Sequence, residues 1–212
     1  MAMLDLAAFA ATPLVRQPYD HLIVPGFIRP EHLDGINGDF PRIAEPGSFP
    51  TSELDYGARF AALLRELEGP EFRAAAAAKF GLDLAGRPTM VTVRGRARAS
   101  DGKIHTDTAS KLITALIYMN AAWEAKGGRL RVLRGPQRLD DWAAEVPPVA
   151  GTLLAFRRSE NSWHGHEPHE GERRSIQLNW VVDRATVERE LARHRLSAKA
   201  KRLARRLNPF AA

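Results

Sequence analysis

Three residues in the middle of the chain, His105, Asp107 and His164, have the types and spacing to hold a divalent metal ion. His105 and Asp107 flank a single threonine at the end of a segment, 103–107, that reads as strand. Residues i and i+2 of a strand share a face, so this imidazole and this carboxylate converge on one point. A third ligand has to come from a distant segment, and His164 is the best placed. His166 shares its parity and stays open as an alternative, whereas His169 follows Pro168 and reads as a turn. Two imidazoles and one carboxylate form a facial triad that leaves three coordination positions open. That suits Fe(II) when it must bind both a cosubstrate and O2. The chain has no cysteine, so thiolate ligation and disulfides are excluded.

The elements that must position these groups change character along the chain. The first third reads as mainly helical with one early strand at 21–24, stopped by Pro25-Gly26. Pro30 opens a short helix at 31–36. Residues 58–67 carry a helical apolar pattern ended by Gly69-Pro70. An alanine-rich helix follows at 70–80, with Gly81 at its C′ position. From Pro88 onward, short runs of β-formers alternate with turn signals: 90–97, 103–107, 112–120, 130–133, 152–156 and 174–182. Many short strands at this spacing predict an antiparallel sandwich or jelly roll. A last helix is expected from 184 to 206, stopped by Asn208-Pro209. The expected organisation is one domain of mainly β, α+β class: a helical support region at 1–87, a β core at 88–183, and a basic helix and tail at 184–212.

The net charge of +6 is unevenly spread. Residues 184–206 hold nine Lys/Arg against Glu188 and Glu190, so the rest of the chain is close to neutral. No apolar run is long enough for a transmembrane helix, and no basic region precedes the apolar N-terminus. The expectation is a cytoplasmic protein.

The blocks HTD at 105–107, ITALIYMN at 113–120, EAKGGRLRVL at 124–133, PPVAGTLLAF at 147–156, NSWHGHEP at 161–168 and GERRSIQLNWVV at 171–182 occur in an order and spacing that resembles a known family. That family is the prolyl-hydroxylase-like branch of the 2-oxoglutarate/Fe(II) dioxygenases, including the hydroxylases of hypoxia-inducible factor and bacterial relatives. The resemblance implies a double-stranded β-helix (jelly roll) core. It implies Fe(II), 2-oxoglutarate and O2 as cofactor and cosubstrates, with ascorbate as an auxiliary reductant. It implies His164 as the distal iron ligand, followed after nine or ten residues by the basic residue that pairs with 2-oxoglutarate.

That spacing leaves Arg173 and Arg174. The parity class of Arg173, Ser175, Gln177 and Asn179 is polar, whereas Arg174, Ile176, Leu178 and Trp180 are mostly apolar. A barrel holding iron and a dicarboxylate turns its polar class inward, which favours Arg173. Tyr118 matches the family tyrosine that bonds the same carboxylate, and Thr114 shares its parity. Leu130 matches an apolar residue beside the cosubstrate, and Gln177 and Asn179 match positions facing the site. The intact Asp107 points to hydroxylation of an unactivated C–H, on a prolyl residue or a small molecule, with release of succinate and CO2. One departure stands out: the family tyrosine about ten residues before the first metal His is missing from 92–104, where Val93, Arg94, Arg96 and Arg98 stand instead.

Two other classes compete. A cupin-type metal enzyme without 2-oxoglutarate would use three His with a Glu, against the HxD pair and the downstream arginine seen here. An oxygenase acting on nucleic acid would use the C-terminal basic helix as a phosphate-contacting stripe. The near-neutral body and the lack of a stacking-aromatic series speak against it.

Overall fold

The structure, a computed structural model, describes residues 2–192. Its strands form two antiparallel sheets. The large sheet has six strands in the order β1 (His21–Val24), β7 (Leu153–Arg157), β4 (Lys111–Tyr118), β9 (Gly171–Val181), β3 (Thr89–Ala97) and β2 (Phe49–Pro50). The small sheet has three, ordered β6 (Trp142–Val146), β5 (Leu130–Leu133) and β8 (His164–Gly165). A single antiparallel bridge between His105 and His164 extends the small sheet by one residue.

Side-chain alternation sorts the large sheet into two unlike faces. On the outer face, Val91, Val93, Ile113, Ala115, Ile117, Leu153, Ala155, Ile176, Leu178 and Trp180 join one apolar cluster with the helices. Helix α3 (Ala58–Leu67) supplies Phe60, Leu63, Leu64 and Leu67, an i, i+3, i+4, i+7 stripe that buries one side. Helix α4 (Pro70–Phe80) begins with Pro at its first turn and ends on Gly81 at φ 61°, the left-handed geometry that glycine adopts without a Cβ clash. Its Phe72 meets Trp180 edge-on at 5.3 Å and Phe9 of α1 (Leu6–Ala11) at 5.5 Å. On the inner face, Leu116, Tyr118, Leu154 and Phe156 pack against Leu130, Val132 and Val146 of the small sheet. The two sheets therefore face each other, with apolar packing at one end and a polar cavity at the other.

Several expected boundaries match closely. The helices at 58–67 and 70–80 and the strands at 21–24 and 130–133 coincide with α3, α4, β1 and β5. Others differ. The strand expected at 103–107 is reduced to the bridge at His105. β2, β6 and β8 did not stand out from the sequence: β2 and β8 are two residues long, and β6 (WAAEV) has only one β-branched residue. The N-terminal region also supplies strands. β1 hydrogen-bonds to β7 and β2 to β3, so residues before 88 build both edges of the large sheet.

After β9 the chain is helical from 184 to 192, with Asp183 capping the start by accepting from the Thr186 amide at 2.7 Å. The rest of the expected basic helix, 193–206, lies outside the described residues. Among the described residues, no helix is long and apolar enough to cross a membrane.

Candidate metal centre

His105 and His164 are brought together by their backbone bridge, each amide donating to the other's carbonyl at 3.0 Å. Their rings lie 4.3 Å apart between centroids. Both rings are oriented alike. Nδ1 of His105 donates to the Lys103 carbonyl at 2.8 Å, and Nδ1 of His164 to the Ser162 carbonyl at 2.9 Å. A carbonyl oxygen only accepts, so each Nδ1 carries the proton and each Nε2 is left with its lone pair. Asp107 completes the group. One ligand atom from each of His105, Asp107 and His164 lies within 4.8 Å of the others, and no further such group occurs among the described residues.

The Asp107 carboxylate is held from several sides. Lys111 donates to Oδ1 at 2.7 Å, and Thr114 donates through its hydroxyl to Oδ2. Thr114 Oγ1 in turn accepts from Asn179 Nδ2 at 2.7 Å, and Asn179 Oδ1 from Gln177 Nε2 at 3.0 Å. This chain crosses from β4 to β9 and ends at the metal-facing carboxylate. Each oxygen keeps a second lone pair, so ligation through one oxygen stays open. Burial pushes the Asp107 carboxyl upward, but Lys111 and His164, with the two donated hydrogen bonds, outweigh that and hold it below the usual range. Burial first, then His105, lowers His164 to about 4, so its ring is neutral and ready to ligate near pH 7.

These groups line a cavity of about 250 Å³ that also takes in Ser48, Thr92, Arg94, Asp101, Gly102, Lys111, Thr114, Leu116, Leu130, Phe156, His166, Arg173, Ser175 and Gln177. Arg173 is 4% exposed, with Nε donating to the Gly128 carbonyl at 2.8 Å. Its guanidinium carbon sits 5.5 Å from the Tyr118 ring centroid. Arg173 Nη2 and Tyr118 Oη are both buried without a hydrogen-bond partner among the described residues. Two adjacent buried donors left open call for an acceptor, since an unsatisfied buried group costs about 1–3 kcal/mol. A carboxylate fits that need. Tyr118 does not line the cavity; it stands behind the wall, against Arg173.

Of the other sequence candidates, Thr114, Leu130 and Gln177 line the cavity and Asn179 stands behind Thr114. Arg174 points outward, lying over the Phe40 ring at 5.4 Å and pairing with Glu172 at 3.1 Å. His166 lines the cavity but stays out of the metal group. Its Nδ1 donates to the Glu167 carbonyl at 2.8 Å, and burial followed by Arg173 lowers it to about 4. His169 meets Trp123 in a tilted ring contact, 4.5 Å between centroids. Sequence reasoning missed Lys111 and Asp101. Lys111 carried a readable signal, a cation four residues after Asp107 at the mouth of a strand.

Residues 95–181 match the family model of the 2OG-Fe(II) oxygenase superfamily. This segment is a 2OG-Fe(II) oxygenase domain. The whole fold is similar to solved structures of such enzymes. A Pseudomonas putida prolyl-4-hydroxylase aligns at 18% identity and TM-score 0.54, over 84% of this chain and 97% of the other. A Burkholderia pseudomallei oxidoreductase of the 2OG-Fe(II) oxygenase family aligns at 15% and 0.55, over 85% and 96%. HygX from Streptomyces hygroscopicus, solved with nickel and 2-oxoglutarate bound, aligns at 14% and 0.52, over 76% and 81%. No curated protein matches the chain in sequence. Residues 95–181 thus resemble that superfamily in sequence, and the described residues share the fold of its solved structures. The residues present fit its cofactors: a nitrogen-and-oxygen donor triad for iron(II), and two buried, open donors for a dicarboxylate.

Proposed function

We propose that His105, Asp107 and His164 hold the iron, that Arg173 and Tyr118 hold the distal carboxylate of 2-oxoglutarate, and that the enzyme hydroxylates an unactivated C–H. The observation that carries this reading is the pair of buried, open donors, Arg173 Nη2 in the wall of the cavity that holds the triad and Tyr118 Oη behind it. The iron, when bound, supplies the O2 chemistry that couples decarboxylation of 2-oxoglutarate to oxidation of the substrate. The protein's own residues do the rest. The Lys103 and Ser162 carbonyls present the two Nε2 atoms. Thr114 and Lys111 orient the Asp107 carboxylate so that it offers one oxygen. Leu116, Leu130 and Phe156 keep that end of the cavity dry, which strengthens the charged interactions inside it.

The two facing sheets support a double-stranded β-helix, or jelly roll, as the architecture, with the helix that begins at 184 closing one side. The working place is the cytoplasm, where ferrous iron and 2-oxoglutarate are both supplied. The substrate is a small molecule or a prolyl residue.

The test is anaerobic titration of the full chain with Fe(II), with and without 2-oxoglutarate, followed by visible absorption. The reading expects a charge-transfer band that needs both components, is lost in Asp107→Ala, and requires more 2-oxoglutarate in Arg173→Gln. Iron binding with no band at any 2-oxoglutarate concentration would remove the cosubstrate and favour a cupin-type enzyme.

A further inference from the structure

Among the described residues, Arg94 is the one cavity cation that the proposed cofactor arrangement leaves without a task. It lies on β3 opposite Ser175 of β9, two residues from Arg173 on the same inner face. Two elements brace its guanidinium: Nη1 donates to Asp101 at 2.6 Å and Nη2 to Ser48 at 3.3 Å. With five N–H groups and these two engaged, it offers a fixed fork with donors to spare. Its side chain is 24% exposed, so it sits nearer the opening than Arg173. Asp101 does not neutralise it fully, because Arg98 shares the same carboxylate, through its amide at 3.1 Å and its guanidinium at 3.8 Å.

Charge in the cavity points the same way. Among the described residues that line it, three cations (Arg94, Lys111, Arg173) face two anions (Asp101, Asp107). Iron(II) and the 2-oxoglutarate dianion cancel, so the loaded cavity keeps one positive charge. Both carboxylates of 2-oxoglutarate are already placed, one toward the metal and one at Arg173. A further anion has to come from the substrate.

We propose that Arg94 is a specificity residue that anchors a carboxylate of the substrate, and that the substrate is a small organic acid. This rests on the iron and 2-oxoglutarate reading above. An acid held at Arg94 is oriented with its carboxylate at the β3 wall and the rest of the molecule turned toward the triad. A residue within a peptide chain has no such carboxylate to offer.

The experiment uses the full chain loaded with Zn(II), which is redox-inert, and saturating 2-oxoglutarate. A panel of free amino acids and hydroxy acids, each beside its primary amide, is titrated by ligand-observed NMR. The proposal expects at least one acid to bind tenfold or more tighter than its amide. Arg94→Gln should erase that preference and Arg94→Lys keep part of it. Ser48→Ala, which removes only one brace, should weaken acid binding by about 2- to 10-fold and serves if Arg94→Gln does not fold. Amides binding as well as acids, a preference that survives in Arg94→Gln, or no acid binding at all would each overturn it. A separate 2-oxoglutarate titration keeps the two readings apart. Wild-type protein that binds 2-oxoglutarate but shows no acid preference sinks the Arg94 assignment alone, whereas failure to bind 2-oxoglutarate sinks the function beneath it.

Discussion

β9 has two faces that do opposite work. Ile176, Leu178 and Trp180 press outward into the helical layer, where Trp180 is 1% exposed. Arg173, Ser175 and Gln177 turn inward to the cavity, and Arg173 is nearly as buried, at 4%. The outer face is stable because its apolar surface leaves water. The inner face buries charge and open donors at a cost that only a ligand offsets. One strand thus holds the fold with every second residue and builds the site with the others, and the two functions should be separable by mutation.

The largest separation is expected from Asp107→Ala. Succinate formation should fall to background and metal affinity collapse, while the far-ultraviolet circular dichroism stays native. Next comes the outer face: Trp180→Ala should lower stability by about 3–5 kcal/mol in a denaturant titration. Protein that remains folded should bind iron normally. If Trp180→Ala instead abolished iron binding in folded protein, the two faces would not be independent.

Arg173→Gln should raise the 2-oxoglutarate requirement about 100-fold, as expected for losing charge-assisted hydrogen bonds of about 1.5–3 kcal/mol each, with little change in metal affinity. Thr114→Val removes one donor to Asp107 and leaves Asn179 Nδ2 without its acceptor. Metal affinity, read by calorimetry with Mn(II), should fall about 10- to 100-fold.

The smallest effect is on pH dependence. In chelator-treated protein, burial lowers both His164 and His166 to about 4. Between about pH 6.5, the ordinary value for histidine, and pH 4 the unfolded chain binds protons that the folded chain does not. Stability is then fully present above that range and lost as pH falls through it. Asp107, held below the usual range, acts in the same direction at lower pH. Melting temperature against pH should show this slope, and His166→Gln should flatten it; an unchanged slope in that variant would mean that His166 does not contribute.

Much of the fold was legible in local pattern. The stripe of Phe60, Leu63, Leu64 and Leu67 announces a helix with one buried side, and Gly81 announces its neighbour's end. The alternation along 171–181 separates a polar from an apolar face before any partner is known. The two-residue strands were not legible. His164–Gly165 is extended because the Val132 and Arg131 backbone pairs with it, and nothing within NSWHGHEP marks two residues as strand.

The sequence by itself determined the kinds of ligand available, the absence of thiolates, the apolar stripes and the parity that sets Arg173 apart from Arg174. Those are properties of residue type and period, which the chain carries wherever it folds. Only the tertiary structure decided that His105 and His164 meet through one backbone bridge, that Lys111 and the Gln177–Asn179–Thr114 chain hold Asp107, and that Arg94 shares a cavity with Arg173. Each of these joins residues from different strands. Their distances depend on sheet register, which is set by the packing of both faces at once and not by any local run of residues.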